Sequence, residues 1–448
     1  MITHLPRKFR TFISGDGLRA RLIRGGLGSA GIQAANRVLT LALGLVLARW
    51  LGPDGYGIYA YAFAIMSLLM VVAEAGVPTL LMREVAASHG RAEWGLLRGA
   101  LRRGAQLVVL AASVVSLTGL VVLWWFADSL RPEVLYTTAL MLLVLPVSAL
   151  CKTVAHAMRG LHRVVVGQAV DMLIRPLLVL IIVAVVFLAW PDQRQPQVAM
   201  AAQLLGALVV LLIGVLVLRR FLPDKARKAD PEYKSRQWLK SALPFTLIGG
   251  AGVINNQADI LMIGWFMDSG DVGIYRVAVQ GATLVAFGLQ AANAVVAPQF
   301  SRLYAQGDMV RLQRLVTISA RVILFVALPL AAAFVLAGGE IVGWMFGNQY
   351  VAAHQPLAIL AVGQLINAGF GSVGFLLNMT GHEGITARIL WQTAIVNVVM
   401  NVLLIPSFGT AGAAIASAFS LILWNALLYR QVRRRLGLNS SAIYINKP

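Results

Sequence analysis

The sequence predicts an all-α polytopic membrane protein, with twelve transmembrane helices in two six-helix lobes related by a parallel repeat. Three observations predict it: an apolar excess, twelve separate apolar stretches, and an alternation of charge between their connections. Of the 448 residues, 59% are hydrophobic and 12% charged, and the mean hydropathy is +0.77. Soluble domains carry about 25% charged residues. One or two such domains could not bury this much apolar surface, because surface grows nearly as fast as mass. The excess must face lipid.

A bilayer core about 30 Å thick needs about 20 apolar residues per helical crossing. The qualifying stretches are 28–51, 57–77, 104–127, 134–156, 164–190, 198–218, 241–267, 273–298, 316–338, 355–378, 385–405 and 409–429, hereafter spans one to twelve. All are read as helices, since an open sheet leaves backbone groups unsatisfied in hydrocarbon. Residues 1–27 are basic (Arg7, Lys8, Arg10, Arg19, Arg21, Arg24) and resemble the start of a signal peptide. The apolar stretch that follows is too long for one, so it is read as an uncleaved first span.

With the N-terminus placed in the cytoplasm, the inner connections and termini hold 31 of the 38 Lys and Arg residues. The outer connections hold only Arg131 and Arg194, while Arg37, Arg49, Arg175, Arg276 and Arg321 lie within or at the ends of spans. Positive charge concentrates on the cytoplasmic side of membrane proteins. Twelve spans with both termini inside follow. Because the net charge of +20 is spread along these connections, a nucleic-acid partner is excluded. The single Cys151 and six scattered histidines, without H-E-x-x-H spacing, give no disulfide framework and no metal site.

The expected organisation is an N-terminal lobe (1–218), a basic linker (219–240, RRFLPDKARKADPEYKSRQWLK), a C-terminal lobe (241–429) and a basic tail (430–448). The linker reads either as a cytoplasmic connection touching anionic headgroups or as a docking site. The two halves resemble each other. GYGIYAYAF (55–63) aligns with DVGIYRVAV (271–279), matching Gly57, Ile58 and Tyr59 with Gly273, Ile274 and Tyr275; MRGLHR (158–163) echoes MTGHE (379–383). A parallel repeat of this kind places a substrate site between two lobes near the midplane, reached by rocking. The chain reads as a transporter.

Three segments carry a family resemblance: ARWLGPDGYGIYAYAFAIMSLLMVVAEAGVPTLLMREVA (48–86), DVGIYRVAVQ to APQFSRLYAQGD (271–308), and NVLLIPSFGTAGAAIASAFSLILWNALLY (401–429). They resemble the polysaccharide-biosynthesis flippases, and NRVLTLALGLVLARWLG (36–52) is similar to the start of the lipid II flippases. Both groups belong to the superfamily of multidrug, oligosaccharidyl-lipid and polysaccharide exporters. The resemblance implies a flippase of the bacterial inner membrane. It would turn an undecaprenyl-diphosphate-linked oligosaccharide for O-antigen, capsule or exopolysaccharide assembly. It would make and break no covalent bond, so no catalytic residue is expected. The implied partners are that lipid-linked substrate, membrane lipids, and polysaccharide polymerase and chain-length proteins.

Ionisable residues deep in spans are costly and face a cavity or a partner. Arg37 lies about nine residues into span one, about 13 Å along the helix, and matches an arginine of the lipid II flippase pattern. It would meet a diphosphate bidentately, or else snorkel. Arg175, four residues after Asp171 in span five, reads as a self-neutralising pair or as a substrate contact. Arg49 and Arg276, at the outer ends of spans one and eight, would receive the diphosphate as it leaves, or snorkel to headgroups. Arg321 reads as an interfacial snorkeller. Lipid II flippases keep a further arginine along span one, where this chain has Leu43.

Span seven (LPFTLIGGAGVINNQADILMIGW, 243–265) sets Gly249, Gly250 and Gly252 ahead of Asn255, Asn256, Gln257 and Asp259. It reads as a discontinuous helix at an ion or substrate site, or as close packing. Asn397 and Asn401 of span eleven share a face, and Ser417 follows in span twelve. The lipid II flippase resemblance implies cation coupling at Asp259, Asn397, Asn401 and Ser417, through oxygen ligands that suit hard cations. Asn401 stands where that site tends to have a second carboxylate. No cofactor is expected beyond Na+ or H+. Glu74 is expected to pair with Arg83. His156, Arg159, His162 and Arg163 line the inner end of span four, as phosphate-catching groups or as ordinary inside-positive charges. Tyr56, Tyr59, Tyr61, Trp124 and Trp125 are expected in the interfacial belt.

Three rival functions remain. A cation-coupled drug antiporter would want an acidic or aromatic pocket for cationic drugs. A polymerase or ligase would want a long outer loop, and the longest here is 339–354. A scaffold without transport would have no use for intramembrane charges.

Overall fold

The computed structural model describes residues 18–442; the basic segment up to residue 17 and the last six residues of the tail lie outside them. Helices joined by short turns fill the described chain, as the composition demands, and all twelve predicted stretches fall on helix. Nine helices among the described residues are long and apolar enough to cross a membrane by length and composition. Two of them, Gly31–Glu74 and Glu383–Leu436, have 44 and 54 residues. At 1.5 Å per residue the longer would extend about 80 Å if straight. Both instead bend at a glycine with positive φ, Gly52 (φ 70) and Gly409 (φ 58). A Cβ at such a position would crowd the next carbonyl oxygen. Each bent helix therefore carries two consecutive spans. Ser235–Phe266, which carries span seven, stands outside the nine and holds Asn255, Asn256, Gln257 and Asp259.

The outside of the bundle is apolar, with Phe325, Leu336 and Trp344 each about four-fifths bare. Such surface is stable only against lipid. Inside, one continuous core runs from Leu47, Met141 and Phe187 in the first half of the chain to Tyr275, Phe334 and Leu357 in the second.

Backbone geometry repeats where the sequence does. Arg163 N–H donates to the Met158 carbonyl and His382 N–H to that of Leu377, closing the same six-residue helix end. Glu93 to Ser88 and Asp308 to Leu303 form a second matching pair. The left-handed residue of these turns is Ala92 or His162 in the first half and Gly307 or Gly381 in the second.

At the end of the bundle opposite the linker, the two halves touch backbone to backbone. A Cβ added to Gly57 would lie 1.6 Å from the Ser269 carbonyl oxygen, and one on Gly273 would lie 2.1 Å from that of Pro53. The paired landmarks of the repeat thus face each other, and any side chain there would pry the halves apart. Beside them Arg131 donates to both oxygens of Asp54, at 3.0 and 3.2 Å, and to Ser269 Oγ at 2.7 Å. Partial burial alone would push the Asp54 carboxyl up, but the hydrogen bonds from Arg131 and Ser269 outweigh it and hold it below its ordinary value. Both side chains are half exposed, so this clip sets register and adds little stability.

Several local expectations are corrected. Span seven is one unbroken helix beginning at Ser235, so its glycines do not interrupt it. A Cβ on Gly249 or Gly252 would meet open space, because both face a cavity. The connection before it is anchored to the first half: Arg98 Nη1 donates to the Ala229 carbonyl at 2.7 Å, and the Arg103 guanidinium lies over the Tyr233 ring. Tyr56 and Tyr59 are buried, not interfacial, because that face of span two packs inward, whereas Trp124 and Trp125 are about three-quarters exposed. Arg83 pairs with its neighbour Glu84, leaving Glu74 to Lys152 of span four. Arg321 donates through Nε to the Ala442 carbonyl of the returning tail.

Candidate functional site

Three adjoining cavities occupy the middle of the bundle. The central one, about 530 Å³, lies between spans one, two, seven and eight, and Arg37, Asn256, Gln257, Arg276 and Gln280 line it. A first-half pocket of about 220 Å³ shares Thr40, Arg276 and Gln280 with it, and a second-half pocket of about 260 Å³ shares Asn256, Val279 and Thr283.

Asp259, Asn397 and Ser417 line the second-half pocket, and Asn401, buried behind it, joins them by hydrogen bonds. Asp259 is 7% exposed. Its Oδ1 accepts from Asn401 Nδ2 at 2.8 Å, and its Oδ2 accepts from Tyr275 OH at 2.8 Å and from Ser417 Oγ. Asn401 Nδ2 also donates to Asn397 Oδ1 at 3.1 Å, and Asn397 donates to Ser417. Helical spacing explains the set: Asn397 and Asn401 stack one turn apart, and small residues around Ser417 let span twelve approach. No basic residue lines this pocket, and Asp259 forms no ion pair among the described residues. A buried carboxylate served only by neutral donors is expensive. Asn401 Oδ1 is also buried without a partner. The carboxylate, amide and hydroxyl groups gathered around Asp259 are oxygen chemistry of the kind that suits a small hard cation or a proton.

The first-half pocket has the opposite polarity. Arg175 and Arg276 line it together with Tyr56, Tyr59 and Gln203, and no carboxylate does. Arg175 and Asp171 form no salt bridge among the described residues. The segment Val170–Ile174 is a π-helical turn, which widens the helix and breaks the four-residue stacking that would have joined them. Arg175 Nη2 instead donates to Ser148 Oγ at 2.8 Å. Gln203 Nε2 donates to Tyr59 OH at 2.7 Å. Tyr59 and Tyr275 are repeat counterparts, so the same hydroxyl serves an amide in one pocket and a carboxylate in the other.

Arg37 and Arg276 both line the central cavity, and Arg37 Nη2 donates to Gln290 Oε1 at 2.8 Å. Arg276 lines both the central and first-half cavities, bringing Arg37, Arg276 and Arg175 into one connected space. Arg49 is not part of it. It sits at the far end of span one and donates to the Trp344 carbonyl. Sequence reasoning missed Tyr275, Gln203 and Gln280 as site residues; the repeated tyrosine was the available signal for the first.

A family profile described as polysaccharide biosynthesis protein matches residues 22–304. Among curated proteins, the chain is 25% identical over 191 residues to the "Probable low-salt glycan biosynthesis flippase Agl15" of Haloferax volcanii, covering 42% of this chain and 40% of that protein. The chain spans less than half the length of the curated relatives it matches. Among solved structures it resembles a multidrug resistance MATE family transporter of the MOP superfamily in its inward-facing conformation. The TM-score is 0.74 at 14% identity, covering 90% of this chain and 94% of that one. It also resembles the lipid II flippase MurJ in an inward closed conformation, with a TM-score of 0.69 at 13% identity, covering 90% and 87%. At these identities the likeness establishes the shared helical fold.

Proposed function

Because the chain belongs to the polysaccharide biosynthesis protein family, we propose that it is a flippase for an undecaprenyl-diphosphate-linked oligosaccharide, working by alternating access in surface polysaccharide assembly. The carrying observation is that the first-half pocket and the central cavity share Arg276, are lined by Arg175 and Arg37 respectively, and have no carboxylate among the residues lining either. Arginine offers a planar fork to phosphate oxygens. In a low-dielectric cavity, such a fork replaces the water that a diphosphate must leave behind. The sugar chain would follow through the wet, amide-rich centre, and the lipid tail would stay in the bilayer.

In this reading the linker end faces the cytoplasm, which puts both termini inside and the Gly57–Gly273 contact at the shut outer gate of a bacterial inner membrane. The Asp259 pocket is the coupling site. Asp259, Asn397, Asn401 and Ser417 would hold Na+ or a proton, whose charge the carboxylate balances. The protein moves its substrate without covalent chemistry. Its partners are the lipid-linked oligosaccharide, membrane lipids, and the polymerase and chain-length proteins that use the product.

The alternative, a cation-coupled multidrug antiporter, would use the Asp259 pocket for the drug itself, since no basic residue lines it. One experiment separates the two. In a bacterial host deleted for its own O-antigen flippase, expression should restore surface polysaccharide. Ethidium resistance in the same cells should stay at the level of the empty vector. Resistance gained without restored polysaccharide would select the antiporter.

A further inference from the structure

The helix carrying span two stops at Glu74, and the next two residues, Ala75 (φ 45) and Gly76 (φ 70), are both left-handed before Val77–Gly90 begins. For alanine that conformation is strained, since its Cβ crowds the following carbonyl oxygen. The repeat counterpart, Ser269–Ala305, runs through the corresponding region without a break. The repeat itself therefore does not require the break, and strained backbone of this kind concentrates at functional sites.

What the break positions is a carboxylate. The Glu74 side chain is 12% exposed; its Oε2 accepts from Lys152 Nζ at 2.8 Å, and its Oε1 is buried with no partner. Lys152 is 44% exposed, and the pair lines a cavity of about 180 Å³ together with Thr79 and Thr246. Ser67, Gly249 and Val253 line both this cavity and the central one, so the two are continuous. Along span four, His156 and Arg159 follow Lys152 at helical spacing, on one side of the helix, towards its end at Gly160.

We propose that Lys152 is the receiving subsite for the anionic diphosphate head on the linker side, and that Glu74 is its built-in competitor. Glu74 holds the ammonium until the anion arrives and reclaims it when the anion passes to Arg37 and Arg276. This rests on the flippase reading. A site whose competent state is partly occupied by an internal competitor binds with reduced apparent affinity. Neutralising Glu74 should therefore tighten anion binding, whereas a purely structural ion pair would loosen when either partner is lost.

The test is calorimetric binding of inorganic pyrophosphate to the full chain in phosphatidylcholine nanodiscs. Glu74→Gln should bind about three- to tenfold more tightly than the wild type, and Lys152→Gln more weakly by a similar factor. The double variant should match Lys152→Gln, and Lys152→Arg, which keeps the charge, should stay near wild type. Weaker binding in Glu74→Gln overturns the proposal. If Arg276→Ala lowers affinity and neither the Glu74 nor the Lys152 variant changes it, the flippase reading stands and Lys152 leaves the path. No pyrophosphate binding by the wild type overturns both. If adding phosphatidylglycerol to the discs abolishes the Glu74→Gln gain, Lys152 receives ordinary lipid head groups and the assignment to an entering diphosphate is overturned.

Discussion

Arg276→Ala should abolish polysaccharide display in a host lacking its own flippase, with the protein still present in the membrane at near-normal level. Among the described residues, Arg276 is the one cation lining both the central cavity and the first-half pocket. It bridges the cavity that holds Arg37 and the pocket that holds Arg175. A hydrogen bond to a charged group contributes about 1.5–3 kcal/mol, or about ten- to a hundredfold in affinity for a diphosphate. Arg276→Lys keeps the charge but loses the planar fork and should retain partial display. Arg49→Ala, at a residue outside the connected space, should change display little. Equal loss in Arg276→Lys and Arg276→Ala, with lowered protein level in both, would assign the residue to folding instead.

Asp259→Asn should uncouple transport from its driving ion. The substitution keeps the shape and leaves one oxygen to accept from Asn401, while its new amide N–H groups face the Tyr275 and Ser417 hydroxyls, which can turn to accept, but it removes the charge that would balance a bound cation. In energised vesicles, transport stimulated severalfold by a sodium or proton gradient should fall to the ungradiented rate, with protein level unchanged. Unaltered gradient dependence would return Asp259 to a packing role. Tyr275 and the adjacent Arg276 put the two sites on one helix: the Tyr275 hydroxyl donates to Asp259, while Arg276 lines the basic cavities.

Much of this architecture is legible in the sequence because lipid imposes a simple rule. Long apolar stretches become helices, and the repeat landmarks Gly57 and Gly273 mark where the halves touch. The Asp259 cluster was legible because two asparagines four residues apart must share a face, and because the resemblance supplied the partner spans. Other features were hidden for physical reasons. The π-turn at Val170–Ile174 has no signature in the residues it contains, so Asp171 and Arg175 read as stacked when they are not. An aromatic residue near the end of a span reads the same whether it faces lipid or another helix, which is why Tyr59 was misplaced. For Glu74 the sequence offers Arg83 as the nearby cation, but Arg83 pairs with Glu84, and Lys152 of span four, distant in sequence, is the partner of Glu74.

The most direct measurement uses the purified full chain in proteoliposomes loaded with a fluorescently labelled undecaprenyl-diphosphate oligosaccharide. A membrane-impermeant quencher added outside reports how much of the labelled sugar head remains protected within. The account predicts that wild-type protein makes the protected pool accessible much faster than protein-free liposomes or Arg276→Ala, with a rate set by the sodium or proton gradient in the wild type and independent of it in Asp259→Asn. A protected pool that stays protected with active, folded wild-type protein, while the same liposomes exchange ethidium against the gradient, would contradict it.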